Sequence, residues 1–184
     1  MTAVLKRADS LSEVVGIKAL QNANLASRID AAERAAEGFV TAEYSLEFLQ
    51  TMHAQTPAVI AVDAGVVVGY ALVTTRELGA THGLIRELVQ AVEGMTFRGQ
   101  ALAGARYVLC GQLCVAKSHR GQGLAGRMYA HFREALRGQY DYAVTDVVCS
   151  NVRSLQAHRK AGFETIASLD YGGDVWQVVL KDLR

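Results

Sequence analysis

The chain predicts an α/β fold on a mixed, mostly antiparallel sheet, and three observations carry that reading. Short apolar runs with strand alternation take turns with segments of helical period. Hairpin patterns stand towards both ends, at residues 59–74 and 163–180. Between them, residues 112–137 run from strand through glycine-rich turn to helix.

Ala3, Val4 and Leu5 open a first strand that stops at Asp9-Ser10. Leu11, Val14, Val15, Lys18 and Ala19 predict a helix reaching about Asn24. Residues 26–42 show no clear period. A second helix is expected from Thr41, as N-cap, to His53, because Tyr44, Phe48 and Met52 fall at four-residue steps. After Pro57, the only proline, residues 59–62 and 66–74 form a hairpin around Asp63-Ala64-Gly65. An insert, 76–106, follows. Leu84, Ile85, Leu88, Val89 and Val92 give it one helical face, expected to cover the sheet with some contact to a cleft. Ala143 to Cys149 reads as a further strand, and Asn151 caps a short helix ending at Gly162. Phe163 to Leu169 and Val175 to Leu180 close the chain as a hairpin around Tyr171-Gly172-Gly173.

With 184 residues the chain has the length of one domain, 1–184, and can bury a core. A net charge of +1 gives no electrostatic case for nucleic acid or an anionic membrane. The apolar zone 58–73 is broken by Asp63, Gly65 and Gly69 and reads as two strands rather than a membrane span. The first ten residues lack the apolar core of a signal peptide. Cys110, Cys114 and Cys149 show no zinc-type spacing. Cys110 and Cys114, placed on one strand, would stand roughly 13 Å apart, too far for a disulfide. All three are read as free thiols in a reducing cytoplasm. His53, His82, His119 and His131 lack metal-ligand spacing and are read as surface residues.

The chemistry is concentrated in QLCVAKSHRGQGLAGRMYAHFREALR, residues 112–137. Leu113 and Val115 lie on one face of a strand; Leu124, Met128, Phe132 and Leu136 lie along one side of the following helix. Gly121, Gly123 and Gly126 sit where that helix begins and its N–H groups lack intrahelical partners. Those donors, the positive end of the helix dipole and Arg120 suit an anion, and a diphosphate fits best. The glycines also spell G-x-G-x-x-G, with Asp146 twenty residues beyond Gly126, as in a dinucleotide-binding turn. However, Ala116 to Arg120 separate the strand from the first glycine, and the chain is short for a second catalytic domain.

Strand, polar turn, then Arg-Gly-x-Gly-x-Ala resembles motif A of the GNAT superfamily, the acetyl-CoA-dependent N-acetyltransferases. Residues 151–163, NVRSLQAHRKAGF, resemble motif B of the same family, with Asn151, Ser154, Ala157, Lys160, Gly162 and Phe163 in register. The resemblance covers the C-terminal half. It implies the GNAT fold, with the sheet splayed between the central strand and the next, and acetyl-CoA as cosubstrate. Backbone groups of Val115 and Lys117 would then hold the pantetheine arm. Arg120, Gly121, Gln122, Gly123, Leu124, Ala125 and Gly126 would hold the diphosphate, with Asn151 and Ser154 on the pantetheine side. Leu113 would present a backbone oxyanion donor. His158 stands where most members carry a tyrosine; an imidazolium there would protonate the leaving thiolate, the alternative being a solvated or packed histidine with no part in the reaction.

No carboxylate lies between Tyr107 and Val115 to serve as a base. Asp146 is read as facing solvent or the sheet, its alternative being action through a water. Phe39, Tyr44 and the 76–106 insert are where the acceptor pocket is expected. The implied activity is direct acetyl transfer to a small-molecule or protein amine, without metal, nucleic acid or membrane; a homodimer is compatible with it. The alternatives are a GNAT-fold acyl-CoA binder without turnover and, from the glycine pattern, an NAD(H) oxidoreductase.

Overall fold

The computed structural model describes residues 3–184, with the side chain of Leu84 outside the description. Strand β1 (Val4–Arg7) leads to α1 (Leu11–Asn22), capped by the Ser10 hydroxyl on the Glu13 N–H. Helices α2 (Ala31–Glu37) and α3 (Leu46–Gln55) follow, then the hairpin β2 (Val59–Asp63) and β3 (Val66–Ala71). Its two-residue turn is Ala64-Gly65, both at positive φ, as the right-handed twist of a tight hairpin requires. A short strand β4 (Thr74–Thr75) precedes α4 (Arg76–Thr81), α5 (Gly83–Glu93) and the small hairpin β5 (Thr96–Phe97) and β6 (Gln100–Ala101). Then come β7 (Tyr107–Leu109), β8 (Leu113–Val115), α6 (Leu124–Leu136) and β9 (Tyr142–Val148). Helix α7 (Val152–Lys160) and the hairpin β10 (Glu164–Tyr171) and β11 (Asp174–Asp182) complete the chain.

Apart from the two-stranded β5-β6 hairpin, the described strands divide into two sheets, β1-β2-β3-β8 and β10-β11-β9-β7-β4. The division arises from two breaks that face one another. One is Leu72-Val73, between β3 and β4; the other is Cys110-Gly111-Gln112, between β7 and β8. The Leu72 N–H donates to the Gln112 carbonyl at 2.8 Å, so the breaks remain in register. Strand β7 pairs in parallel with β9, whereas β8 pairs only with β3. Beyond Val144 the β9 edge therefore has no strand beside it on the β8 side, and the sheets open as a V.

Each face carries its own core. Tyr70, Leu109, Val144 and Leu180 pack under α1, α3 and α5. On the other face Leu124, Met128, Tyr129, Phe132 and Leu136 of α6 are all buried against Ala71, Val108, Ala143 and Val179. Each such side chain contributes about 2 kcal/mol on burial, which holds the start of α6 firmly against the sheet.

Several boundaries differ from expectation. Thr41 is not a cap. Helix α3 begins at Leu46 behind Ser45, whose hydroxyl accepts from the Phe48 N–H at 3.2 Å. Tyr44 lies before the helix. Residues 31–37, without apolar period, are nonetheless helical, capped by Asp30 on the Glu33 N–H. The 66–74 strand is interrupted at Leu72-Val73, and Cys110 lies in the break after β7 while Cys114 is on β8, so the two are not on one strand. The insert holds two helices and a hairpin. Val89 and Val92 join the core, and Ile85 and Leu88 reach a cavity as well as the core.

Candidate active site

Strand β8 sets the site's backbone. In an antiparallel pair successive residues direct their N–H and C=O groups alternately towards and away from the neighbour. The Gln112 carbonyl and the Ala116 N–H bond to Leu72 and Val68 of the adjoining chain, both at 2.8 Å. Residues 112, 114 and 116 thus face β3, and the backbone groups of Leu113 and Val115 point into the V. The Val115 carbonyl is taken by Arg120 Nε at 3.1 Å. The N–H of Leu113, its carbonyl and the N–H of Val115 are left facing the opening.

A short 3-10 turn, Lys117–His119, carries the chain to α6. Gly121 and Gly123 both adopt positive φ, 74° and 71°, and Gly123 is the residue from which the helix starts. The first helical bond from this segment runs from the Arg127 N–H to the Gly123 carbonyl, 3.1 Å. Among the described residues, the N–H groups of residues 121–126 meet no acceptor. A Cβ built on Gly121, Gly123 or Gly126 meets nothing within 4 Å, so the space beside this row of donors is open. Six partnerless amides at the positive end of a helix dipole make a row of donors, a cradle suited to an anion.

The side chains around the cradle are arranged differently from expectation. Arg120 does not hold its charge out to the turn. Its guanidinium bonds Glu37 at 3.3 Å and the Asn24 side chain, fastening α2 and the end of α1 over the cleft. Lys117 pairs with Glu33 at 3.3 Å, and Gln122 donates to the Ser118 carbonyl at 3.2 Å. Arg153 and Lys160 of α7 line the same cleft; the sequence marks Lys160 only as a position of the motif and does not single out Arg153. His119 is not a simple surface residue either: it lines the cleft and bonds Asp63 at 3.0 Å. His82 rests on Phe48, with ring centroids 4.0 Å apart.

Two chambers meet across β8. The first, about 460 Å³, runs from the 121–126 cradle past Val115 to α7. The second, about 530 Å³, lies on the other side, bounded by Tyr44, Leu88, Asp146 and Trp176. Phe39, Val40, Leu113, Asn151, Ser154 and His158 border both. Leu124 and Ala125 line the first chamber with the glycines; Tyr44 lines the second, its hydroxyl near the Gly111 carbonyl at 3.4 Å.

Helix α7 supplies the wall between them. Asn151 caps it, accepting from the Ser154 N–H at 3.2 Å, and its amide donates to the Phe39 carbonyl at 2.8 Å, tying α7 to the segment after α2. His158 is buried. Its Nδ1 stands 2.8 Å from the Ser154 carbonyl, which only accepts, so Nδ1 carries the proton. Nε2 then accepts from the Tyr129 hydroxyl at 2.7 Å. Burial drives the imidazole down to about 4, only partly offset by the Ser154 carbonyl. The ring is neutral at physiological pH with both nitrogens engaged, which contradicts the expectation of an imidazolium proton donor. Tyr129, unremarked in the sequence, is the partner that fills this place.

Asp146 is half-buried, its carboxylate turned towards a cavity rather than to open solvent. It lines the second chamber, where Tyr171 donates its hydroxyl to Oδ2 and stacks on Trp176 with centroids 4.9 Å apart. Burial raises the Asp146 carboxyl above its ordinary value, against the Tyr171 bond. Cys110 and Cys114 are pushed up to about 12 by burial, so neither offers a thiolate near neutral pH. A further buried residue holds the site together. Gln112 accepts from Gln21 (3.0 Å) and the Tyr70 hydroxyl (2.6 Å) and donates to the Ala42 carbonyl (2.9 Å). Its one sequence signal is a glutamine between two apolar runs.

A family model described as Acetyltransferase (GNAT) family matches residues 24–163. Among solved structures, the chain is similar to one from the NatC complex bound to Gag peptide and CoA. The TM-score is 0.68 at 17% identity, over 100% of each chain. It is similar also to yncA from Salmonella typhimurium, solved with its cofactor acetyl-CoA (TM-score 0.64, 16% identity, 100% of this chain and 95% of that one). A GNAT-family acetyltransferase from Streptococcus agalactiae gives 0.64 at 16% identity, over 98% and 95%. At these identities the likeness shows the fold. No curated protein matches the chain in sequence at a significant level.

Proposed function

The chain belongs to the GNAT family of acetyltransferases, and on that premise we propose that it moves an acetyl group directly from acetyl-CoA to a primary amine. The observation that carries this reading is the open row of partnerless N–H groups at residues 121–126, leading past the inward backbone of Val115 to Leu113. That is a polar track for a diphosphate followed by an amide-bearing arm. Acetyl-CoA supplies the activated acyl carbon and takes the sulfur away. The donors of 121–126 bind its diphosphate, assisted by Arg153 and Lys160 on the opposite wall. The Val115 N–H, with the Leu113 carbonyl, holds the arm as a strand neighbour would. The Leu113 N–H, at the junction of the chambers, is placed to stabilise an oxyanion. Asn151 and Ser154 set the orientation of α7 and with it the width of the junction.

The acceptor, a small-molecule or protein amine, enters by the second chamber. His158 serves here as a neutral strut for Tyr129 rather than as an acid. Buried thiols of high pKa at Cys110 and Cys114 favour direct transfer over an acyl-cysteine route. Unpaired cysteines accord with a reducing compartment such as the cytoplasm. Among the described residues no helix is long and apolar enough to cross a membrane.

Two measurements test this together. CoA at about 100 times its Kd raises stability by about 2.7 kcal/mol, visible as a thermal shift that NAD(H) does not produce. Thiol release from acetyl-CoA then appears with members of an amine panel. No shift with CoA removes the cradle assignment. A shift with no thiol release from any amine removes the transfer reaction.

A further inference from the structure

The second chamber differs in charge from the first. Arg120, Arg153 and Lys160 border the first; among the described residues no lysine or arginine borders the second. Three carboxylates do: Glu43, Asp146 and Asp174. Glu43 is already balanced by Lys18 at 3.0 Å and Arg28 at 3.2 Å. Asp146 and Asp174 have no cationic partner among the described residues. Asp146 is recessed, Tyr171 donates to its Oδ2, its own backbone N–H also favours the carboxylate, and no other described residue bonds Oδ1. Nor is Oδ1 among the buried atoms sealed without a partner, so it borders the chamber. The remaining wall is largely apolar or aromatic: Phe39, Tyr44, Leu88, Tyr171 and Trp176.

From this charge division, and resting on the acetyl-transfer reading, we infer that the acceptor is a primary ammonium on an apolar or aromatic body, with no carboxylate on the neighbouring carbon, and that Asp146 both seats the ammonium and takes its proton. A recessed carboxylate with one oxygen free and no competing cation is a site for N–H donors. The Tyr171–Trp176 stack, 4.9 Å between centroids, gives the carbon body a flat apolar face. A free amino acid would bring a second carboxylate into a chamber that holds no cation to meet it, a like-charge placement costing several kcal/mol.

The reaction balances without another reagent. The ammonium passes one proton to Asp146 Oδ1. The amine lone pair forms the N–C bond to the acetyl carbon, the C–S bond breaks and its pair stays on sulfur. The second nitrogen proton goes to the sulfur, and Asp146 returns its proton to water. The departing thiolate, whose conjugate thiol has a pKa of ~8.5, accepts that proton directly, which removes the need for the acid that His158 does not provide.

Asp146 titrates among groups contributed by every neighbouring element. Tyr171 on β10, Tyr44 before α3, Cys110 in the strand break and His158 on α7 face the chamber, with Asp174 on β11 and Glu87 on α5 adding like charge near Tyr171. The phenols and thiols are neutral near pH 7, as is His158. Lys18 holds Glu43 below its ordinary range and Asp174 stands beyond the recess, whereas burial raises Asp146, to which the acid limb of kcat/KM is therefore assigned. Removing the Tyr171 hydroxyl withdraws a bond that favours the carboxylate, and the limb moves to higher pH.

The test uses the full chain, acetyl-CoA and thiol release with three acceptors: phenethylamine, a short peptide amide beginning with phenylalanine, and free phenylalanine. The first two share the required ammonium, and their ratio tells a free amine from a chain terminus as its source. Expected is a kcat/KM for the better of them about 100-fold above phenylalanine. Asp146→Asn lowers kcat/KM by about 100-fold or more while the CoA thermal shift stays at the wild-type value, and Tyr171→Phe moves the acid limb upward. Phenylalanine equal to the other two, or Asp146→Asn at wild-type rate, overturns the inference while leaving acetyl transfer standing. Loss of the CoA shift in the wild-type protein would instead overturn the acetyl-transfer reading itself.

Discussion

Replacing Gly123 by glutamate separates the anion cradle from everything else the glycine does. At φ 71° a side chain is strained, by about 1–2 kcal/mol for a left-handed residue. A Cβ there meets nothing within 4 Å, so no clash adds to this. For a chain of 184 residues each kcal/mol corresponds to about 2–4 °C in Tm. Gly123→Ala, Gly123→Gln and Gly123→Glu should share that loss. Only glutamate puts a negative charge among the free amides. Two unit charges about 4 Å apart repel by about 4 kcal/mol at an effective dielectric of about 20, or roughly three decades in Kd. The assay is the CoA-induced thermal shift, followed by titration calorimetry. Alanine should retain most CoA affinity, glutamine should lose part through bulk, and glutamate should show none at concentrations saturating the wild type. A Gly123→Glu protein that still binds CoA with wild-type affinity would refute the placement of the diphosphate on residues 121–126.

Three further outcomes follow from the same contacts. His158 has its folded-state pKa depressed from 6.5 to about 4, so the stability it contributes is present above pH 6.5 and lost as pH falls through about 4. A shift of that size is worth about 3 kcal/mol, and denaturant unfolding at pH 7 and pH 4 should show His158→Gln lacking that component of the acid loss. Arg120→Met strands the half-buried Glu37 and the Asn24 side chain and should cost about 1–3 kcal/mol in urea unfolding; an unchanged midpoint would show that the clasp between α1, α2 and the cradle carries no stability. Gln112→Leu leaves the Tyr70 hydroxyl and the Gln21 amide without their buried partner and should cost about 2–4 kcal/mol, again by urea unfolding.

What the sequence revealed and what it concealed have physical causes. The open turn before α6 was legible because Gly121 and Gly123 take a positive φ that glycine favours, and this leaves a signature in residue type. Helix α2 was not, since none of its residues is buried and a helix without a buried face writes no apolar period. Tyr44 misled in the opposite direction. It is buried by an extended segment, yet its spacing to Phe48 and Met52 imitates a helix face, so the α3 start was placed at Thr41 rather than Ser45. The second chamber was least visible. Asp146 lies in a run of apolar and small residues on a strand buried on both faces, and nothing in YAVTDVV says which way an aspartate points.

The divided sheet connects these features through one cause. Tyr107 to Val115, read as YVLCGQLCV, would make a continuous strand but for Gly111 and Gln112. A Cβ on Gly111 would stand 3.1 Å from Thr74 Oγ1, so a larger residue there would press on the side chain that opens β4, just past the opposite break. Gln112, beside it, spends its amide on three partners from α1, β3 and the segment before α3 rather than on a neighbouring strand. The strand is thereby held off β9 just where it changes sheets. The same step turns Leu113 and Val115 inward, gives one side of β8 to the cradle and the other to Asp146, and leaves Leu113 between them. A continuous strand would satisfy those backbone groups by pairing with β9 and would close both chambers at once. The polar anchorage of Gln112 thus helps to keep the inward backbone groups of Leu113 and Val115 unpaired between the sheets, where the proposed transfer would use them.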